Sequence, residues 1–171
     1  MNTKYEFTGE TKIVYGCTLR RIKAIVAIGA TVAPGDIGGW IESENNLSVS
    51  GDAWVSGNAC VYGDAWVYGN ACVYDDARVY DDARVSGNAC VCGNALVSGD
   101  ADYMTFKNSW SSGRWFTYTA SNKKWSVGRF YGTGDELVSK AYADSELSGK
   151  CYEAIVRAVE AIEAAKKSEA K

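Results

Sequence analysis

The sequence predicts a mainly β protein: a parallel β-helix of about three 18-residue coils, with a β cap before it and a strand-and-helix module after it. Three observations predict this. Nine valines stand six residues apart from Val49 to Val97. Each is followed four residues later by an alanine, from Ala53 to Ala101, and every one of those alanines is preceded by Asp or Asn. From Gly51 to Ser98 the chain reads as unbroken hexapeptides, GDAWVS-GNACVY-GDAWVY-GNACVY-DDARVY-DDARVS-GNACVC-GNALVS. A fixed short period of this kind is the signature of a solenoid in which each unit is one side of a coil.

Residues 1–44 read as the β cap. Lys4–Thr8 and Lys12–Tyr15 are short extended segments separated by Gly9, and Thr18–Ile28 is a strand rich in β-branched residues. The single proline opens the turn Pro34-Gly35-Asp36, where its fixed φ suits the first turn position. Gly38-Gly39-Trp40 follows, with Trp40 expected to cover the first coil and with Ile41 and Leu47 expected to join the six-residue grid. A solenoid exposes an open sheet edge at each end, and such edges pair with other chains unless covered.

Residues 45–101 are the coils. In each unit Ala and Val point one way, inward, and the residue between them points out, because side chains alternate along a strand. Gly with Asn or Asp makes each corner, since these residues tolerate positive φ and bond their local backbone. The 18-residue coil puts Val55, Val73 and Val91 in one inner column, Val61, Val79 and Val97 in a second, and Val49, Val67 and Val85 in a third. Outside, the columns are Trp54, Cys72 and Cys90; Cys60, Arg78 and Leu96; and Trp66, Arg84 and Asp102. Gly99-Asp100-Ala101 reads as the start of one more unit.

Residues 102–171 break the grid and read as a separate module. Asp102–Lys107, Arg114–Ala120 and Lys124–Tyr131 are three expected strands, with turns at Gly113 and Ser121-Asn122. Two helices are expected after them, over 135–142, started by Thr133 or Gly134, and over 148–167. The second carries Tyr152, Ile155, Val156, Val159 and Ile162 at helical spacing, with Glu153–Arg157 and Glu163–Lys167 as i,i+4 pairs on its outer face.

Composition narrows the chemistry. The chain has no histidine, which removes Ser-His-Asp and Cys-His catalysis, histidine-ligated zinc and the commonest general base near neutral pH. A net charge of −3 gives no electrostatic drive toward nucleic acid. No apolar run reaches the length of a spanning helix, and MNTKYEFTGE has neither the basic start nor the apolar core of a signal peptide, so a cytoplasmic setting without membrane contact is expected. The six cysteines include no C-x-x-C pair and are read as reduced structural thiols; Cys72, Cys90 and Cys92 share a face but lack a fourth ligand for a soft-metal centre. No cofactor is expected.

Three surfaces stand out as candidate sites. Trp54, Tyr62, Trp66, Tyr68, Tyr74 and Tyr80 project outward on a short prism, and aromatics of this kind anchor interfaces, so an oligomer or partner face is expected there. The valine column is short and the coil should lean on caps or on further copies of itself, as a dimer or trimer. Asp64, Asp82 and Asp100 should stack along one corner edge, an oxygen-rich column that could take calcium. In the final module Arg114, Trp115, Lys123, Lys124, Trp125 and Arg129 interleave cations with aromatics, a pattern able to receive an anionic ligand.

The repeats resemble the left-handed β-helix superfamily of hexapeptide acyltransferases and γ-class carbonic anhydrases. That resemblance implies a left-handed coil. Its activities rest on a catalytic histidine or on three zinc-bound histidines, so none carries over to this chain and no enzyme is expected. A closer resemblance rests on Leu19-Arg20-Arg21-Ile22-Lys23-Ala24, on Gly35-Asp36-Ile37-Gly38-Gly39-Trp40-Ile41-Glu42, on Glu44-Asn45-Asn46-Leu47-Ser48 and on the GDAWVSGNA-type repeats. With Asp102-Tyr103 and Gly132-Thr133 later in the chain, it is similar to hexapeptide-repeat proteins common in bacteriophages, prophages and gut bacteria. It implies a phage-encoded accessory factor in a bacterial host. The expected function is non-enzymatic binding of a host protein such as a defence component. The alternatives are a sponge for an anionic nucleotide immune signal and a structural, self-assembling β-helix.

Overall fold

The computed structural model describes residues 2–169. Strands β1 (Tyr5–Val14) and β2 (Cys17–Ala24) form an antiparallel hairpin. Its two-residue loop, Tyr15-Gly16, has positive φ at both residues, +48° and +87°, as the tight primed turn of a hairpin requires. The two short strands expected on either side of Gly9 are one strand. Gly9, at φ +93°, is absorbed as a bulge where the register shifts between Phe7 and Thr11. The strand expected over 18–28 stops at Ala24, and the chain turns back through Pro34-Gly35-Asp36 to β3 (Ile37–Ile41), which lies antiparallel to β2.

Eight two-residue strands then carry the coils: β4 (Trp54–Val55), β5 (Cys60–Val61), β6 (Trp66–Val67), β7 (Cys72–Val73), β8 (Arg78–Val79), β9 (Arg84–Val85), β10 (Cys90–Val91) and β11 (Leu96–Val97). They pair in parallel with partners 18 residues away, Trp54 with Cys72 and Cys72 with Cys90, Cys60 with Arg78 and Arg78 with Leu96, and Trp66 with Arg84. Three faces result. The first is β4–β7–β10, the second extends the hairpin as β1–β2–β3–β5–β8–β11, and the third is β6–β9. Inside, Ala53 to Ala95 and Val55 to Val97 form one buried core joined by Ile41 and Leu47. Asp75 and Asp81 stand where other units have Gly, with φ of +60° and +54°, a conformation that Asp tolerates better than most residues.

Val49 departs from its expected column. It is 51% exposed, and Leu47 takes the inner place beside Val67 instead. Ile41 pairs with Val61 and Leu47 bridges to Val67, each 20 residues apart rather than 18. Two residues more than a hexapeptide therefore lodge between Leu47 and Ala53. A short 3-10 turn, Glu44–Asn46, precedes this wide corner. At the other end the ninth repeat does not form: Asp100–Asp102 curls into a 3-10 turn.

The final module is a four-stranded antiparallel sheet, β12 (Tyr103–Lys107), β13 (Trp115–Thr119), β14 (Lys124–Val127) and β15 (Phe130–Gly132), followed by α1 (Gly134–Asp144) and α2 (Glu146–Glu169). The third expected strand is thus a hairpin, broken at Gly128, whose φ is +58°. Thr133 caps α1 in a box with Glu136. The helices cover one face of the sheet over a core of Phe116, Tyr118, Trp125, Val127, Leu137, Val138, Val156 and Val159. Ile162, expected on the apolar stripe, is exposed. The i,i+4 pairs are replaced. Arg157 bonds Glu160 and Asp135, Lys166 bonds Glu163, and Glu153 accepts from the Tyr142 hydroxyl at 2.7 Å. Residues three apart are also helix neighbours, and α1 supplies competing partners across the hairpin.

Candidate functional site

The sheet's other face closes the end of the solenoid. In each coil the strand N–H groups donate to carbonyls of the next coil, for example Cys72 N to Ala89 O at 2.8 Å. The last coil has no next coil, and side chains of the final module take its place. Thr117 Oγ1 accepts from Cys90 N at 2.9 Å, Ser121 Oγ from Leu96 N at 2.8 Å, and Asp102 Oδ2 from Ser98 N at 2.8 Å. Asp100 Oδ1 accepts from Arg84 N at 3.0 Å and Tyr103 Oη from Ser86 N at 3.4 Å. Asp100 and Asp102 are thus engaged as caps. Asp102 therefore does not continue the Trp66–Arg84 column.

At the opening end the cap is mostly backbone. Trp40 N, Glu42 N and Ser48 N donate to Ala59 O, Val61 O and Val67 O at 2.9, 3.1 and 2.9 Å. The buried Asn46 adds its Nδ2, which reaches Gly63 O at 3.0 Å and Ala65 O at 2.9 Å. Gly38 and Gly39 permit this approach: a Cβ on Gly39 would stand 2.8 Å from Ala59 O.

The six outward aromatics are divided among the three faces. Trp54 (5% exposed) is buried on the first face, and Tyr74 flanks the same face half-buried, with its hydroxyl 3.4 Å from Ser126 Oγ. Tyr62 and Tyr80 stack at 5.5 Å beside the second face, with Tyr62 buried against Leu19, Trp40 and Cys60. Trp66 and Tyr68 stack at 4.1 Å on the third face, where Trp66 stays 39% exposed beside Arg84. They therefore make no single surface.

Two grooves lie on the solenoid. One, of about 640 Å³, has Cys72, Cys90 and Tyr74 among its lining on the first face and is walled by Ile28, Val32 and Gly128. The other, of about 420 Å³, lies on the second face between the hairpin tip and the coils, lined by Tyr15, Tyr62, Arg78, Tyr80 and Leu96 among others. Arg78 donates to the Tyr15 hydroxyl at 3.0 Å. No repeat signal pointed to Tyr15; the Tyr-Gly turn places it beside the coils.

In the first groove the neighbouring Cys90 thiol pulls the Cys72 thiol down to about 7, against the opposing effect of burial. The same pairing, with burial, pushes Cys90 up. While both are protonated, each S–H points to a carbonyl two residues earlier, Asn70 O at 3.9 Å and Asn88 O at 4.0 Å. Lys4, buried nearby with Nζ donating to Ser48 O at 3.0 Å, has its ammonium pushed down by burial, partly offset by Asp52 and Cys72.

The basic-aromatic set of the final module does not converge. Trp125 (2% exposed) belongs to the core, Trp115 and Lys124 are half-buried, and Arg114, Lys123 and Arg129 are exposed. Trp115 lies beneath Lys107, 5.8 Å from the ring centroid to Nζ. Trp125 cannot contact a ligand from this position, and the alternation along β14 that buries it turns Lys124 the other way. Among the described residues no three His, Cys, Asp or Glu side chains gather to hold a metal, Asp64, Asp82 and Asp100 included.

Residues 53–69 and 77–92 match the family model described as YdcK Beta solenoid repeat. The repeats are those of a β-solenoid. The matched stretches lie wholly within the coils, so the similarity concerns the scaffold and leaves the hairpin and the final module outside it. Among curated proteins none matches the chain. Among the described residues no helix is long and apolar enough to cross a membrane.

Proposed function

We propose that the protein is a non-enzymatic binding protein that engages a protein partner on the third face of its solenoid. One observation carries this reading: Trp66 stays exposed on β6–β9, stacked on Tyr68 and paired in register with Arg84. Trp, Tyr and Arg are the residue types that most often supply the anchoring energy of interfaces. Stacking holds the rings in place, so little side-chain entropy remains to be lost on docking. The resemblance to phage and prophage hexapeptide-repeat proteins adds the finer parts of the proposal: a left-handed coil, and an accessory factor acting on a host protein such as a defence component.

The test is a pull-down from bacterial lysate with the intact protein and a Trp66→Asp variant, analysed for retained protein and for small molecules released on heating. Trp66 points away from the core, so the variant is expected to keep its thermal unfolding midpoint. One protein retained by the parent and reduced at least tenfold with the variant supports the reading. Equal retention by both overturns it. A released nucleotide without a protein favours the sponge, and higher-order species in light scattering without any partner favour self-assembly.

A further inference from the structure

We propose that Cys72 and Cys90 form a two-thiolate site for a soft monovalent cation of the Cu(I) class, held in line between consecutive coils. The two residues are direct register partners on β7 and β10, and both line the groove on the first face. Their sulfurs have equivalent orientations, each directed at the carbonyl of the Asn two residues earlier, Asn70 and Asn88. Two side chains in the same orientation on neighbouring strands repeat at the strand spacing, about 4.8 Å. Gauged by the zinc–thiolate bond of about 2.3 Å, two such bonds in line span about 4.6 Å, and the shorter bonds of a two-coordinate ion need the sulfurs to rotate slightly toward each other. The coil spacing therefore sets the two sulfurs where a linear S–metal–S unit needs them.

The same spacing is unsuited to the competing chemistries. A disulfide needs its sulfurs about 2.05 Å apart and its Cβ atoms about 3.5–4.5 Å apart, which would draw two registered strands together. A tetrahedral zinc site needs four ligands, and among the described residues no third Cys, Asp or Glu joins the pair. Two soft sulfurs and no hard donor select a soft d10 ion. Binding is without redox change: each thiol releases its proton to solvent, and the dithiolate complex of a monovalent ion carries one negative charge. Lys4 is buried close enough for its charge to act on Cys72, with Asp52 acting in the opposite sense. Ile28, Val32 and Trp54 give the groove apolar sides, beside the polar Asp52, Ser56 and Asn70.

The test uses the full chain, reduced and anaerobic, titrated with Cu(I) supplied as its acetonitrile complex against a coloured Cu(I) chelator. Expected are one Cu(I) per chain, a sulfur-to-metal absorption band in the ultraviolet, and affinity lowered at least 100-fold in Cys72→Ser and in Cys90→Ser. Cys92→Ser should bind within threefold of the parent, and Zn(II) should not compete. A readout on the unaltered protein stands beside the variants: loading with Cu(I) should shield Cys72 and Cys90 from alkylation while leaving Cys17 and Cys151 at their unloaded rates. Binding that survives either serine substitution, equal protection of all cysteines, or one Cu(I) per two chains would overturn the site.

Discussion

The two ends of the solenoid meet the same physical problem with different means. At the opening end a returning strand, β3, pairs its backbone with the first coil, and two glycines let it come close. At the closing end there is no strand in register. Hydroxyls and carboxylates of Asp100, Asp102, Tyr103, Thr117 and Ser121 accept the last N–H groups one by one. A backbone cap is continuous and intolerant of added atoms. A side-chain cap is modular, and each contact can be removed separately. The difference teaches that an exposed sheet edge can be covered by matching its hydrogen-bond directions without extending the sheet.

The comparison can be broken at four places. The largest effect is expected at Asn46, fully buried, where Asn46→Leu strands the carbonyls of Gly63 and Ala65 together with Ser43 N–H. The bond to Ala65 is buried and the other two partly so, and an unpaired buried group costs about 1–3 kcal/mol, so a loss of about 3 kcal/mol is expected in urea unfolding. Next is Gly39→Ala, whose added Cβ would meet Ala59 O and Val55 Cγ1, both at 2.8 Å. Overpacking against backbone should destabilise by about 2 kcal/mol, and slower unfolding than the parent would contradict the rigid-cap picture.

At the closing end, Thr117→Val keeps the shape of the side chain but removes the acceptor for Cys90 N–H, a loss of about 1–2 kcal/mol. Ser121→Ala removes the acceptor for the exposed Leu96 N–H, which water can replace, so a change under about 0.5 kcal/mol is expected. Equal losses from the two substitutions would show that the caps act as a unit instead of separately. The smallest effect concerns the helix beyond the cap. Bonds from the Thr133 N–H and hydroxyl hold the Glu136 carboxyl below its ordinary range. With the folded pKa depressed, its contribution is full above the ordinary carboxylate value and is lost as pH falls through the depressed one. Parent and Glu136→Gln should therefore differ slightly in thermal midpoint at neutral pH and converge in acid.

Legibility followed the range of the forces involved. The outward column of Trp54, Cys72 and Cys90 is written in the six-residue period and forms as expected. The phase slip is not, because Leu47 and Val49 are both apolar and two residues apart. Which one turns inward depends on how wide a corner the Glu44–Asn46 turn leaves. Trp54 and Trp66 occupy equivalent repeat positions, yet one is buried and the other exposed. Their difference arises outside the repeat, where Gly38 of the cap comes against Trp54. Likewise Lys124–Tyr131 has the composition of one long strand, and only the positive φ at Gly128 divides it. Of the candidate site residues, Trp54, Tyr62, Trp66 and Tyr80 lie on their expected columns and Asp100 is drawn into the closing cap, while the basic-aromatic set of the final module is dispersed by the alternation of its strands and by the turns between them.

By itself the sequence determined the coil: its period, the alanines and valines that fill it, and the corners that turn it, all set by alternation and backbone preference within a few residues. The tertiary structure decided which outward side chains are buried, how the last N–H groups are satisfied, and that Cys72 and Cys90 share a groove with Ile28 and Val32. Those outcomes depend on segments returning from tens of residues away, whose docking depends on shape and hydrogen-bond geometry. A repeat carries no record of either.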